Sequence, residues 1–461
     1  MDLDGLLTND VRVGVTGFSR AGKTVFICAL AQALLTATAW RGKRGQGPLA
    51  EFGPFECGRF SLARIRRDES SSGLPEFPLN KIREALTGID ARWPSRTEGI
   101  SRLELELAVA PKGAFQSFLQ RMLNPLGEGH IRLELIDYPG EWLIDLPMLD
   151  QDFAKWSETV LAQATNGPRE NLSQGYKAWL ESAKREIKSS SSAADEASNF
   201  WRAYLHSATE AGFVFNQPGM AVCPDVTRDP TLFSLAPLPL GEVPASLFEE
   251  MTRRFERYKK EIIKPFYTDH FAKIDRQIVL VDLLRVLEAG KHQFEDLLTA
   301  QRALIPSFNY SKGGALDWIG GVRTTRVLFA ATKADHVVRG DRENLANLLR
   351  KMLRYVDVDN ELAWSTKAVE TVALCSVRAT EDFRLKATPH REVLLGKPAA
   401  EKEDGHWDPG GLPLDMPPDW DTFAFKSFRF EPRPMPEAYE TGFPSIHLGR
   451  ALDFLIGEDF Q

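Results

Sequence analysis

The chain has 461 residues, more than a single compact core usually holds, which predicts two or three domains or one domain with large insertions. Its 57 Lys and Arg against 64 Asp and Glu give a formal net charge of -7 at pH 7, so no overall charge attracts nucleic acid, and no nucleic-acid partner is expected. Since 43% of the residues are hydrophobic, a packed globular interior is predicted.

The cysteines and the N-terminal residues indicate the cellular compartment of the protein. Cys28, Cys57, Cys223 and Cys375 are widely separated and form no Cys-x-x-Cys or Cys/His cluster, so buried thiols are expected rather than disulfides or a zinc site. Residues 1–10 are acidic and resemble no secretory signal, and no apolar run approaches the roughly 20 residues of a membrane span. These features predict a cytoplasmic protein.

The first motif is GFSRAGKT at residues 17–24, which matches the G-x-x-x-x-G-K-S/T pattern of a phosphate-binding loop. Alternating valines at 11–15 predict a strand before it, and residues 25–35 predict a helix after it. Main-chain N–H groups of such a loop bind phosphate oxygens, and the positive end of the helix adds to the attraction. We expect Lys23 to reach the β- and γ-phosphates and Thr24 to offer its hydroxyl to Mg²⁺. The alternative is a glycine-containing turn without a ligand.

Two polar stretches follow the predicted helix. Residues 41–48 are basic and glycine-rich, and we interpret them as a solvated loop, with contact to a partner or to anionic lipid as the alternative. Residues 50–95 contain many turn-forming residues, which predicts an insertion outside the core.

Two segments with strictly alternating apolar residues, 103–109 and 131–136, predict half-buried strands separated by a helical stretch at 115–126. The second strand runs into Asp137, which forms the D-x-x-G arrangement of nucleotide switches with Gly140. In such a switch the carboxylate orders a water on Mg²⁺ and the glycine N–H bonds the γ-phosphate. The alternative is that Asp137 only caps a helix N-terminus.

A nearly continuous apolar run at residues 278–281 predicts a strand buried on both faces. Asp282 at its end competes with Asp137 for the role of the metal-linked carboxylate. Asp137 is preferred because Gly140 accompanies it. A helix is predicted at 290–304.

Thr332, Lys333 and Asp335 form a T-K-x-D pattern after another apolar strand. An Asp in this position accepts both N–H groups from the Watson–Crick edge of guanine, which adenine cannot supply, while the Lys stem lies over the ring. A last apolar strand at 370–374 ends in CSVRAT at 375–380, whose backbone N–H groups are expected near the guanine oxygen.

The order of these segments resembles that of the Ras-like GTPases. The segments GFSRAGKT, WPSRT, LIDYPGEWL, RQIVLVD, TKAD and CSVRAT are similar to those of the YcjX family of bacterial stress-linked GTPases, and the resemblance covers nearly the whole chain, including PSIHLGRAL at 444–452. It implies an α/β fold of the Ras-like P-loop NTPase type, with a mostly parallel sheet and a helical insertion domain. It also implies a cytosolic protein that binds GTP and GDP with Mg²⁺.

Carried over position by position, the resemblance assigns a role to each motif residue. The nucleotide phosphates would be bound by Ser19, Arg20, Ala21, Gly22, Lys23, Thr24 and Val25. Guanine would be surrounded by Thr332, Lys333, Asp335, Ser376 and Val377. The implied Mg²⁺ residues are Thr24, Thr97 and Asp137, and the candidate catalytic residues are Lys23, Arg20, Thr97 and Gly140.

Two departures from the general Ras-like pattern bear on hydrolysis. Glu141 follows D-x-x-G where a water-positioning Gln is most common, which predicts a low intrinsic rate. Arg20 occupies a loop position where potassium-dependent GTPases carry Asn. We hypothesise that Arg20 lies near the β–γ bridge and supplies transition-state charge in cis, and the alternative is an Arg that points to solvent or to a nearby carboxylate.

Four parts are predicted along the chain. Residues 1–146 form the first part of a GTP-binding domain with the P-loop and the switch regions, and residues 147–271 form a mainly helical insertion. Residues 272–383 form the second part with the guanine-recognition motifs, and residues 384–461 form a Pro- and Gly-rich C-terminal segment that packs on the GTP-binding domain. Within the insertion, 248–266 predicts a charged helix, interpreted as solvated, with a membrane surface or a partner as the alternative.

The predicted function is GTP binding with slow, Mg²⁺-dependent hydrolysis and a conformational change between nucleotide states. A recruiting switch or scaffold with negligible intrinsic turnover, and ATP in place of GTP, stay open as alternatives. A P-loop kinase is disfavoured because neither an acceptor pocket nor an arginine-rich lid is identified. A protein partner or activator is expected, and the sequence does not name it.

Overall fold

A seven-stranded sheet lies at the centre of the computed structural model, which describes residues 8–18, 20–66, 74–95, 99–110, 129–184, 189–224, 229–308, 325–358, 362, 364, 368–386, 391–417, 419–420 and 425–460. Its strands are β1 Thr8–Gly17, β2 Phe60–Ile65, β3 Ser101–Val109, β4 Gly129–Asp137, β5 Arg276–Val281, β6 Arg326–Thr332 and β7 Val369–Leu374. They are arranged in the order β2-β3-β4-β1-β5-β6-β7. The pairs β4/β1, β1/β5, β5/β6 and β6/β7 are parallel, and β3 is antiparallel to both β2 and β4.

Helices follow most of the parallel strands. The α-helices are α1 Lys23–Leu35, α2 Gly53–Glu56, α3 Leu79–Thr87, α4 Phe153–Thr165, α5 Gln174–Ala183, α6 Ser190–Glu210, α7 Gly219–Val222, α8 Ala245–Tyr258, α9 Lys264–Asp269, α10 Leu283–Ala289, α11 Lys291–Leu304, α12 Arg342–Val356, α13 Ala438–Thr441 and α14 Leu448–Ile456. A π-helical turn, Lys259–Ile263, joins α8 to α9, and a 3-10 helix, Gly140–Asp150, follows β4. Six of these helices, α4 to α9, lie between β4 and β5 along the chain.

The central strands are buried on both faces, as predicted for residues 278–281. Ile278 and Leu280 belong to one hydrophobic cluster, and Val279 and Val281 belong to another. Helices α1 and α14 pack in the first cluster, whereas α11 and α12 pack in the second. Layers of helices on both faces of a mostly parallel sheet confirm the predicted α/β class.

The helical region between β4 and β5 shares its hydrophobic cluster with the sheet. Trp156 and Phe255 of that region lie in the same cluster as Phe329 of β6. The proposed division into four parts therefore stays a prediction, since no separate core distinguishes the helical part.

One prediction about an irregular stretch is wrong. Residues 50–95 are not an insertion outside the core, because β2 forms the edge of the main sheet and Phe52 and Phe60 are buried. A second sheet towards the C-terminus is formed by β8 Glu381–Leu385, β9 Arg391–Gly396 and β10 Gly405–Trp407. The sequence does not locate these strands because each is only three to six residues long. The helical stretch predicted at 115–126 lies outside the described residues.

The charged helix predicted at 248–266 is present as α8, the π-helical turn and α9. Its face with Arg257 and Glu261, which pair at 3.3 Å and are 46% and 45% exposed, is solvated. Arg254 is instead mostly buried and bonds both Glu250 at 2.9 Å and Asp195 of α6 at 2.7 Å.

All four cysteines are free thiols. Cys28, Cys223 and Cys375 are buried, whereas Cys57 is exposed, in contrast to the expectation of buried thiols. Burial raises the pKa of the Cys28 thiol to about 12. Among the helices of the described ranges, none combines the length and the apolar character needed to cross a bilayer.

Candidate nucleotide-binding site

The predicted motifs meet at one edge of the main sheet. Five neighbouring strands, in the order β4-β1-β5-β6-β7, run parallel, so their carboxyl ends face the same way. The loop 17–24 follows β1, the D-x-x-G turn follows β4, the T-K-x-D turn follows β6 and the loop 375–380 follows β7. Ligands of open α/β sheets bind outside the carboxyl ends of the strands.

The loop after β1 wraps around the start of α1. Lys23 is buried, and its Nζ donates to the carbonyl oxygen of Gly17 at 2.5 Å. Gly22 caps α1 at φ +94°, a left-handed conformation that favours glycine. Thr24 and Val25 lie in the first helical turn, where main-chain N–H groups point out of the helix end.

Three further predicted residues belong to this loop. Ala21 is buried, and its N–H donates to the carbonyl oxygen of Phe18 at 3.0 Å. Arg20 is exposed and has φ +68°. Ser19 lies outside the described residues.

The D-x-x-G turn lies directly on this loop. Its Gly140 packs so closely on Gly17 that an added Cβ would lie 2.5 Å from the Gly17 carbonyl oxygen. The Asp137 side chain is fully buried at the end of β4, in register with Val15 of β1. On its other side Asp137 pairs with Ser101, the first residue of β3, and Thr97 lies outside the described residues.

The loops after β6 and β7 are joined through Asp335. Its side chain is buried, and its Oδ2 accepts the main-chain N–H of Ala379 at 2.8 Å. The Thr380 hydroxyl donates to the carbonyl oxygen of Asp335. Burial, with the neighbouring Asp335 carboxylate, raises the pKa of the Cys375 thiol well above its usual range, and burial lowers the pKa of His336. Ser376 and Val377 lie in the same loop, with Val377 buried.

Lys333 connects the T-K-x-D turn to the end of β5. It has φ +62°, and its Nζ lies 2.5 Å from Oδ2 of Asp282. The neighbouring Thr332 hydroxyl donates to the Val281 carbonyl oxygen at 3.4 Å. Asp282 is thus engaged beside the T-K-x-D turn, whereas Asp137 lies beside the loop 17–24.

The two ends of the candidate site are close enough for one nucleotide. Lys23 follows β1 and Asp335 follows β6, and only β5 separates these strands. Two strand spacings are about 10 Å. The predicted phosphate and base residues therefore lie along one continuous edge.

Two supporting contacts are absent from the sequence-based assignment: the Asp282–Lys333 pair and the Arg342 side chain. Arg342 donates from Nε to the Ala334 carbonyl oxygen at 3.0 Å and bonds both Asp382 carboxylate oxygens at 2.7 and 2.6 Å. The position of Asp282 after a strand next to β6 is a usable signal, because adjacent parallel strands end side by side. No local pattern marks Arg342. The sequence expects the Ala379 N–H, within 375–380, near guanine, whereas the structure shows it bonded to Asp335.

The segment after the D-x-x-G turn is held by the helical region. The Asp145 carboxylate is fully buried and accepts from the Gly219 N–H at 2.7 Å, the Met220 N–H at 3.0 Å and the Tyr258 hydroxyl at 2.7 Å. Burial raises the pKa of Asp145 to about 6, although these donors act against the shift. Glu141 is buried nearby, and its backbone packs on Gly219.

The donors beside the loop 17–24 suit a hard cation. Thr24 offers a hydroxyl and Asp137 a carboxylate, and Mg²⁺ is usually held by one or two protein oxygens together with phosphate oxygens and waters. Across the described ranges, no three His, Cys, Asp or Glu side chains cluster to form an all-protein metal site. The Thr24 hydroxyl and the Asp137 carboxylate therefore fit a nucleotide-linked Mg²⁺.

Comparison with known proteins assigns the chain to a family. The pattern of the YcjX-like family, DUF463, matches residues 11–460. A protein named Ras-like GTPase YcjX from Escherichia coli (strain K12) is 32% identical over 98% of this chain and 96% of its own length. A protein of the same name from Shewanella oneidensis is 28% identical over 98% of this chain and 95% of its own length. The chain therefore belongs to the YcjX-like family.

Proposed function

We propose that this protein binds GTP and GDP together with Mg²⁺, hydrolyses GTP slowly and changes conformation with the nucleotide state. The observation that carries the proposal is the single edge on which the loop 17–24, the D-x-x-G turn and the T-K-x-D turn meet. The two relatives named Ras-like GTPase YcjX support it.

At the phosphate end, Lys23 would exchange the Gly17 carbonyl oxygen for phosphate oxygens. The ammonium group is already aimed into the loop, and the N-terminus of α1 adds positive potential there. Thr24 and Asp137 would hold Mg²⁺, with Thr97 as a further proposed ligand. When bound, the ion would neutralise charge on the phosphates.

At the base end, Asp335 would accept guanine N–H groups. A carboxylate has about four lone-pair positions, so the Ala379 N–H leaves acceptor capacity. Lys333, Thr332, Ser376 and Val377 would border the base. Because Asp335 is buried, binding of guanine requires a local opening of these loops.

Slow hydrolysis is proposed because of Glu141. A carboxylate accepts hydrogen bonds but, when ionised, donates none, so it orients an attacking water less completely than a Gln amide. Glu141 is also buried, with its carbonyl oxygen packed against Gly219.

A conformational change is proposed because the D-x-x-G turn contacts both the loop 17–24 and the helical region. Gly140 lies on Gly17, and five residues later Asp145 is bonded within the helical region. The Trp142 indole N–H also donates to the Cys223 carbonyl oxygen at 2.7 Å. A displacement of Gly140 by a γ-phosphate would therefore be passed to residues 219–223.

A protein partner or activator is part of the proposal. The rival function is a recruiting switch with negligible turnover unaided, which the buried Glu141 also favours. The second alternative is that the ligand is ATP. The choice between GTP and ATP depends on whether the Asp335 carboxylate binds the guanine N–H groups.

Competition binding tests the ligand. A fluorescent GDP analogue bound to the full chain with Mg²⁺ should be displaced by GTP at least about 100-fold more readily than by ATP, since mispairing leaves the buried Asp335 polar groups unsatisfied.

Lys23→Ala should abolish binding. Asp335→Asn should weaken the binding of guanine nucleotides and strengthen the binding of xanthine nucleotides. The amide N–H can donate to the oxygen that xanthine carries in place of the guanine amino group. Equal competition by ATP would contradict guanine recognition.

Single-turnover hydrolysis separates the enzyme from the recruiting switch. We expect measurable Mg²⁺-dependent release of phosphate from bound GTP, absent without Mg²⁺ and absent in Lys23→Ala. If the protein binds GTP with normal affinity but the bound GTP stays intact for many hours, hydrolysis is excluded and the recruiting switch is the function that fits.

A further inference from the structure

A second cleft lies behind the loops after β6 and β7. It has a volume of about 660 Å³ and is bordered by α12, β7 and residues 446–450. Ligand pockets commonly have volumes of about 300–1,000 Å³. The strand order places β7 three strands from β1, about 14 Å from the end of the strand that leads into the loop 17–24. The cleft is therefore separate from the predicted phosphate site.

The side chains that line this cleft are strongly basic. Its arginines are Arg339, Arg342, Arg350, Arg378 and Arg450. The lining carboxylates are Glu343 and Asp382, and Glu370 pairs with Arg450 from outside at 2.5 Å. Asp382 is shared by Arg342 at 2.6 Å and Arg378 at 3.3 Å. The cleft therefore carries excess positive charge in a chain whose net charge is negative.

Two of the arginines account for the excess. Arg350 donates to neutral oxygens, the Thr371 hydroxyl at 3.1 Å and the Asn347 amide at 3.2 Å. Arg339 is exposed at the mouth. In the part of the chain that the structure describes, neither has a carboxylate within ion-pair distance.

A third arginine has a donor without an acceptor. The Arg378 Nε–H is buried and has no hydrogen-bond partner among the described residues. Buried donors are rarely left unsatisfied, and each such group calls for an explanation such as an absent ligand. Arg378 belongs to the loop that also carries Ser376 and Val377.

The two arginines without an ion pair come from different elements along the cleft. Arg339 lies in the 3-10 turn Arg339–Asp341, and Arg350 lies in the third turn of α12. Ala346 and Ala373 also line the cleft. Two separate guanidinium groups favour a ligand with more than one anionic group over a single anion.

We propose that this cleft binds a small soluble ligand with at least two linked phosphate groups. Each linked phosphate carries at least one negative charge near neutral pH, and the planar fork of Arg binds phosphate oxygens in pairs. Arg350 and Arg339 bind the phosphate oxygens, and Arg378 contributes a further guanidinium to the cleft wall. The ligand contacts the walls that support the base loops, since Arg342 also holds the Ala334 carbonyl oxygen.

The test is calorimetric titration of the full chain with inorganic phosphates. The protein is first saturated with GDP and Mg²⁺ so that the loop 17–24 is filled. Orthophosphate, pyrophosphate and tripolyphosphate are then titrated in excess Mg²⁺ at constant ionic strength. We expect one site, with pyrophosphate binding at least tenfold more tightly than orthophosphate and without displacement of GDP.

Variants locate the binding. Arg339→Ala combined with Arg350→Ala should weaken pyrophosphate at least tenfold, with the urea unfolding curve and GDP affinity unchanged. Glu343→Gln should strengthen binding severalfold by removing a repelling charge, a gain that misfolding cannot produce. Arg302→Ala, an exposed arginine on α11 outside the cleft, is the matched control and should change nothing.

Three results would overturn the proposal. The first is equal pyrophosphate affinity in wild type and in the double arginine variant. The second is binding that appears only when GDP is absent, which would assign it to the loop 17–24. The third is a loss of affinity in Arg302→Ala as large as in the double variant, which would indicate general attraction to surface charge.

Discussion

Arg20 adopts a backbone conformation that is unfavourable for a residue with a side chain. A left-handed conformation costs a non-glycine residue about 1–2 kcal/mol, yet Arg20 adopts φ +68° at an exposed position. Glycine would adopt this conformation freely. The guanidinium at the loop tip is therefore the feature that glycine could not supply.

We expect Arg20→Ala to lower the single-turnover rate of GTP hydrolysis at least about tenfold, because positive charge near the transferred phosphate stabilises the transition state. Arg20→Lys should retain part of the rate. Arg20→Gly relieves the backbone strain but should hydrolyse as slowly as Arg20→Ala. Rates are measured on preloaded GTP, with GDP affinity as the control, and an unchanged rate in Arg20→Ala would contradict the role in cis.

A second prediction at this scale concerns Gly219. A Cβ at this position would lie 1.9 Å from the Glu141 carbonyl oxygen, so Gly219→Ala must displace the segment after the D-x-x-G turn. We expect a loss of about 3 kcal/mol or more in the free energy of unfolding, measured by urea denaturation. Gly175→Ala is the control, because its nearest neighbour would be the Phe200 ring at 3.8 Å. A similar effect of both substitutions would contradict the close contact.

At the scale of the element, the 3-10 helix Gly140–Asp150 lies between the candidate site and the helical region. Its first residue packs on the loop after β1, and its middle is bonded to α8 through the Tyr258 hydroxyl and Asp145. The helix thus contacts two different parts of the molecule. A short helix fixed at two points can transmit a displacement more directly than a solvated loop.

Asp145 makes the stability of this element depend on pH. Its pKa is about 6 in the folded protein against an ordinary 3.8, so the native state holds a proton that the unfolded chain releases. The stabilisation is fully present below pH 4 and is lost as the pH rises through 6. The shift corresponds to about 3 kcal/mol.

The measurement is urea unfolding of wild type and Asp145→Asn between pH 4 and pH 7.5. The asparagine does not titrate, so the difference between the two proteins isolates this carboxylate from all others. We expect wild type to lose stability relative to the variant as the pH rises from 4 to 7. A difference that is independent of pH would show that Asp145 does not titrate with a raised pKa.

At the scale of the whole molecule, residues 446–460 pack against several parts of the main sheet. The Cys375 N–H donates to the Ile446 carbonyl oxygen at 3.0 Å, and the Ile446 N–H donates back at 2.8 Å. Helix α14 then covers one face of the sheet. Finally, Phe460 packs edge-on against Phe52 at 5.4 Å and Phe60 at 6.1 Å, beside the edge strand β2.

Phe460→Ala should therefore destabilise the protein by about 3–5 kcal/mol, the usual cost of truncating a buried phenylalanine. Hydrogen exchange should accelerate in β2 as well as at the C-terminus, because both lose a packing partner. Phe200→Ala is the control, since this phenylalanine is 43% exposed, and it should cost less than about 1 kcal/mol. Faster exchange confined to residues 457–460 would mean that the C-terminus does not support β2.

Prediction from the sequence succeeded where the signal is local and periodic. Strict alternation located β3 and β4, and a continuous apolar run located β5. Prediction failed where the apolar periodicity is interrupted. The strand β2 lies in a turn-rich stretch, and β8 to β10 are too short to show a period. Of the predicted site residues, Ser19 and Thr97 lie outside the described residues, and the roles of the others stay predictions.

The amino-acid sequence by itself determined the class of the fold, six of the seven strands of the main sheet and, through its motifs, the family, because residue periodicity and motif spacing are properties of neighbouring positions. Only the tertiary structure decided that Gly140 lies on Gly17, that Ala379 bonds Asp335 and that five arginines converge behind the base loops. These contacts join residues from distant stretches of the sequence, such as Gly17 with Gly140 and Arg342 with Arg450. They depend on strand order and on the direction of each side chain, which no local pattern contains.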